Sequence, residues 1–123
     1  MNQFARNLRP HIKQELARYR LALADGRPDQ AFVHLERAHV LGQGVTRYHL
    51  AAHWHMLCWE LRYRRGRGAP GQLLRLVGAL ILTPPGLLPT GNTGGSNISA
   101  FKSMPVEPEL AEILRRSRQL KSR

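Results

Sequence analysis

A chain of 123 residues, 42% of them hydrophobic, is long enough for one domain with a modest core and too apolar for an unfolded tail. Its 19 Lys and Arg against 8 Asp and Glu leave a net charge of +11, which draws a surface towards polyanions such as nucleic acid, anionic lipid or an acidic protein. One cysteine, Cys58, excludes a disulfide framework and fits a reducing, cytoplasmic setting.

The N-terminal residues carry charge without an apolar run, so no signal peptide is expected there. From Pro10 to Ala24, Ile12, Leu16, Tyr19 and Leu23 recur at steps of three and four, which predicts an amphipathic helix opened by Pro10. Asp25-Gly26-Arg27-Pro28 ends it. A second helix follows over Asp29 to Leu41, with Phe32, Leu35 and Ala38 turned inward and His39 at the edge of that stripe. The pair resembles one tetratricopeptide-like hairpin, but no second copy follows at that repeat's spacing.

Gly42-Gln43-Gly44 is a natural reversal. The third and longest helix is expected from Val45 to Tyr63, ending in the basic turn that holds Arg62, Arg64, Arg65 and Arg67. Gln72 to Leu82 reads as a fourth helix, apolar nearly all round and therefore expected to be buried. Arg75 interrupts it and Thr83-Pro84-Pro85 stops it, well short of the roughly 20 apolar residues of a bilayer span. No run alternates with period two, so no strand is expected.

Residues 83–105, rich in Pro, Gly, Asn, Thr and Ser, read as a long loop. Its apolar anchors Leu87, Leu88, Ile98, Phe101 and Met104 favour an ordered loop packed on the helices. A last helix starts at Val106-Glu107-Pro108-Glu109 and runs to about Leu120, with Arg115, Arg116 and Arg118 near its C-terminus, as the helix dipole favours. Residues 121–123 are expected to fray.

The chemistry concentrates in the second and third helices. Glu36 and His39 lie three apart, and His49 and His53 four apart, so each pair shares a helix face. Reversal at Gly42-Gln43-Gly44 makes residues whose numbers sum to about 88 face each other. His39 then meets His49 and Glu36 meets His53. Three imidazoles and a carboxylate suit a divalent transition metal: Zn, Cu, Ni or Fe. His34 lies about 140° from His39 around the helix, so both cannot point directly at one ion, and it is a direct or outer partner of the site or a packing residue. Met56 adds a thioether one turn beyond His53, or simply core.

Gly91-Asn92-Thr93-Gly94-Gly95 invites comparison with phosphate cradles but lacks the GxxxxGK[ST] pattern. Asn92, Thr93 and Asn97 are candidates to line the mouth of the histidine site. The basic residues Arg62, Arg64, Arg65 and Arg67, with Tyr63 among them, are candidate polyanion contacts. No helix-turn-helix or other reading head accompanies them.

The window HLERAHVLGQ, the histidines after it, and the string GNTGGSNISAFKSMPVEPEL resemble a small bacterial family known only as domain of unknown function thirty-seven-oh-three. The likeness covers nearly the whole chain. It touches His34, Glu36, His39, His49 and His53, Gly91-Asn92-Thr93-Gly94-Gly95 and Met104-Pro105, and leaves out His55 and Cys58. Ser103 departs from the pattern, where Pro is expected. The resemblance implies a compact helical cytoplasmic protein, some of whose relatives are encoded near heavy-metal resistance genes. It brings no activity.

The sequence therefore points to one all-α domain over residues 1–123, a bundle of about five helices with a long loop closing over the central hairpin. The leading function is metal binding by Glu36, His39, His49 and His53, with His34 beside them, in a structural, sensing or buffering role. A small metal-dependent enzyme on the same residues, with Glu36 or Glu60 as base and the loop as lid, is a second reading. A basic adaptor for nucleic acid or an acidic protein, without metal, is a third.

Overall fold

In the computed structural model, which describes residues 2–83, 93–95 and 104–119, regular structure begins at Asn2. Its side-chain oxygen accepts from the Ala5 backbone N–H at 2.8 Å and satisfies one of the donors that the first turn of a helix leaves unpaired. The helix it caps, α1 (Gln3–Ala24), starts about two turns earlier than Pro10 alone predicts, with Pro10 inside it. There the ring forfeits a backbone hydrogen bond. A buried stripe of Ala5, Leu8, Ile12, Glu15, Tyr19 and Ala22, at steps of three and four, outweighs that cost.

Gly26, at φ +72°, turns the chain into α2 (Pro28–Gly42), and α1 and α2 pack as a helical hairpin. The second reversal depends on Gly42. A Cβ there would lie 2.6 Å from Tyr48 Cβ, so only glycine lets the chain fold back so tightly. The Val45 N–H bonds to the Gly42 carbonyl at 2.9 Å and α3 (Thr46–Tyr63) follows. A turn through Arg65 and Gly66, both at positive φ, leads to α4 (Ala69–Leu82), which packs chiefly on α3. After the loop, α5 (Pro108–Gln119) lies against α1 and α2. The fold is all-α, with five helices and no strand among the described residues.

Two apolar clusters form the core. Ala5, Leu8, Ile12, Val40, Leu41, Tyr48 and Leu110 join α1, α2, α3 and α5. Tyr19, Ala22, Ala31, Leu35, Met56 and Trp59 fill the other end of the α1–α2–α3 layer. Met56 is thus core and takes no part in a ligand set. Along α3, His49 and His53 fall between Tyr48 of one cluster and Met56 of the other.

One expectation is overturned. The apolar α4 is not buried: within it only Gln72 and Ala79 are, while Leu73, Leu74, Val77, Leu80 and Ile81 are 53–72% exposed. With one neighbouring helix it has one covered face, and that face carries its polar residues.

Candidate metal centre

Three side chains meet where α2 folds back on α3. His49 and His53 lie one turn apart on α3, and His39 enters from α2 against both. The Nε2 atoms of His39 and His49 are 2.9 Å apart, those of His39 and His53 3.0 Å, and those of His49 and His53 3.0 Å. All three rings are buried, at 2%, 3% and 2% exposure. Among the described residues this is the one group of three or more His, Cys, Asp or Glu whose ligating atoms lie within 4.8 Å of one another.

The outer nitrogens decide where the protons sit. The amide N–H of Gln72, a fully buried residue, donates to the Gly94 carbonyl at 2.9 Å, so its Oε1 faces His53 Nδ1 at 2.7 Å and only accepts. His53 therefore carries its proton on Nδ1, and Nε2 presents a lone pair. His49 Nδ1 lies 2.8 Å from the Thr83 hydroxyl, within hydrogen-bond distance. Burial, reinforced by the neighbouring His53, pushes His49 down to about 3. Burial also takes His53 down to about 4, with the charge of Arg75 assisting and the Gln72 hydrogen bond opposing. Both rings are neutral near pH 7.

A triangle of nitrogens cannot satisfy itself. Each hydrogen bond joins a donor to an acceptor, and a ring of three contacts is odd, so every placement of protons leaves at least one edge joining like groups. Buried, such a conflict is costly. A cation facing three lone pairs removes it. The separations are slightly shorter than the about 3.3 Å implied by tetrahedral ligation at about 2.0–2.1 Å, a difference that small side-chain rotations close.

Gly94 completes the enclosure. Its φ is +84°, and a Cβ there would sit 2.5 Å from His39 Cδ2, so the Thr93–Gly95 backbone lies directly on that ring. Gln72 and Thr83 were not singled out from the sequence. Their signal was available: they are two polar residues on one face of an otherwise apolar helical stretch, eleven positions apart.

The remaining predicted residues go elsewhere. Glu36 is not a member of the histidine group. Three residues along a helix rotate a side chain by about 60° and displace it by about 4.5 Å, and the second α3 position expected opposite Glu36 is taken up by His39. Glu36 instead accepts a hydrogen bond from the Thr93 side chain, and its burial raises its carboxyl pKa. It borders an open cavity of about 180 Å³ with Val40, Thr93, Pro105 and Leu110.

His34 faces α1, where its Nδ1 donates to Glu15 at 2.8 Å. Arg37 bonds the same buried carboxylate at 2.9 Å and reaches Glu107 and Glu109 as well, tying α1, α2 and the start of α5 together. Glu15, which the sequence reading passed over, is the hub of that network. Glu60 accepts from the Gly68 N–H at 3.2 Å and pairs with Arg64 at 3.7 Å, so it holds the α3–α4 turn. His55 packs against Tyr19. Of the loop residues, Thr93 lies at the site's edge, while Asn92 and Asn97 lie outside the described residues. Arg62, Arg64, Arg65 and Arg67 are all exposed, and the last three border a shallow depression with Tyr63.

Comparison with known proteins gives one match. The model of a family described as a protein of unknown function, DUF3703, matches residues 6–114. Searches of curated proteins and of solved structures return no match.

Proposed function

Because the chain belongs to the DUF3703 family, whose description gives no activity, we propose its function from the site alone: it binds one divalent transition-metal ion through Nε2 of His39, His49 and His53. The observation that carries this reading is the buried triangle of nitrogens, 2.9–3.0 Å on each edge, in which every arrangement of protons sets like groups against each other on at least one edge. Three neutral imidazoles suit Zn, Cu, Ni or Fe. Hydrogen bonding of the outer nitrogens to Gln72 and Thr83 supports it further, since ligating histidines usually have their second nitrogen engaged in this way.

The low exposure of all three rings and the backbone of Gly94 against His39 favour holding an ion over turning over a substrate. The role is therefore structural, sensing or buffering. Elemental analysis of protein purified without an affinity tag tests it. The expected result is about one metal per chain, lost in His49→Ala/His53→Ala and retained in His34→Ala and His55→Ala. Equal metal in wild type and the double variant, or none in either after incubation with Zn²⁺ and gel filtration, would overturn it.

A further inference from the structure

The most unusual surface of the molecule is far larger than the metal site requires. Leu73, Leu74, Val77, Leu80 and Ile81 recur at steps of one, three, three and one along α4, so they form a single stripe about 120° wide on its outer side. Each is more than half exposed, at 57%, 72%, 53%, 59% and 63%. Arg75 falls between them in the sequence but about 100° from the edge of the stripe around the helix. Immediately before α4, the end of α3 and the turn after it expose Arg62, Arg64, Arg65 and Arg67 and, just ahead of them, Leu61 at 59% exposure. The first turn of α4 holds no acidic residue, and Pro70 there removes one further polar N–H.

An apolar stripe joined end-on to a cationic cluster matches the interface of an anionic bilayer. The stripe enters the acyl boundary while the guanidinium groups meet phosphate headgroups. A second copy of the chain fits less well. It covers the stripe but leaves the arginine cluster unused, the stripe offers no polar partner for a specific interface, and each copy carries +11. No helix among the described residues is long and apolar enough to cross a membrane, so the contact is one that lies on the surface. We propose that α4 and the α3–α4 turn dock this protein on an anionic membrane surface, with α4 lying in the interfacial plane and the histidine centre on its inner side.

Cosedimentation of the full chain with large vesicles tests this. The vesicles are phosphatidylcholine alone or phosphatidylcholine with about one-third phosphatidylglycerol. Binding is expected only to the anionic vesicles, and about tenfold weaker at about 0.5 M than at about 0.05 M salt. Leu74→Gln/Ile81→Gln changes two exposed positions of a helix to a good helix former. It is expected to lose binding about tenfold or more with helical circular dichroism and metal content unchanged. Arg64→Gln/Arg67→Gln is expected to weaken binding and flatten its salt dependence. The proposal is overturned if the wild type fails to sediment with anionic vesicles, or if the Leu74/Ile81 variant binds as well as wild type. It is also overturned if sedimentation velocity shows a dimer that this variant separates, because α4 then meets a second copy.

Discussion

At the scale of single residues, the account rests on three buried imidazoles held in mutual contact, and the neutrality of His49 and His53 has a pH signature. Histidine in the unfolded chain titrates at about 6.5, whereas His49 and His53 in the fold are pushed to about 3 and about 4. Between these values the unfolded chain takes up protons that the folded one refuses. Stability of the metal-free protein is therefore expected to fall as pH drops from about 6.5 towards about 4. Urea midpoints measured in chelator across that range check it, and His49→Ala/His53→Ala is expected to show a shallower slope. A wild-type midpoint that is flat from about 6.5 to about 4 would contradict it. Gly94 offers a second test. Alanine there meets both the positive φ and the His39 ring, so Gly94→Ala is expected to cost about 1–2 kcal/mol from the backbone alone and to weaken metal retention. Gly44→Ala, where nothing lies within 4 Å, is the control and is expected to be near neutral.

At the scale of elements, polar contacts tie α4 and its ends to α3: Gln72 to His53, Thr83 to His49 and the Gly68 N–H to Glu60. Removing both α3 histidines should therefore loosen α4 before it loosens α1 and α2, which hydrogen exchange reads as lost amide protection confined to residues 72–82. The α1–α2 hairpin depends on a different network. Glu15→Ala removes the buried carboxylate that His34 and Arg37 share, leaving Arg37 its exposed partners Glu107 and Glu109, and is expected to destabilise the fold by about 3 kcal/mol in urea unfolding.

These two networks also mark the limits of reading the sequence. The helices and the reversal at Gly42 were legible because apolar spacing and turn residues are local signals. His39, His49 and His53 were legible because i, i+4 spacing and one turn fix which faces meet. Glu36 was grouped with the three histidines in the sequence, whereas the close cluster holds only the histidines, because a hairpin register defined only to within a residue cannot tell which of two α2 side chains faces a given α3 turn. Pro10 concealed the first part of α1, since only Ala5 and Leu8 continue the buried stripe ahead of it, too few to show a period in the sequence. The exposure of α4 was invisible for a related reason: an apolar helix reads as buried until the number of its neighbours is known.

At the scale of the molecule, the exposed apolar stripe of α4 and the enclosed histidine centre are made of different residues, so each is separable by mutation. An ion bound only by the folded chain raises its stability by mass action, about 2.7 kcal/mol at a hundredfold excess over the dissociation constant. A rise in Tm on adding Zn²⁺ to wild type, absent in His49→Ala/His53→Ala, is the expected outcome in a thermal melt. The measurement closest to the central claim is long-range ¹H–¹⁵N correlation of the histidine rings with and without Zn²⁺. The expected spectrum has Nε2 of His39, His49 and His53 moving together to metal-bound positions, with the proton of His53 on Nδ1, while His11, His34 and His55 stay where they were. Unmoved Nε2 signals for the three, or metal shifts that instead follow His34 or His55, would contradict it.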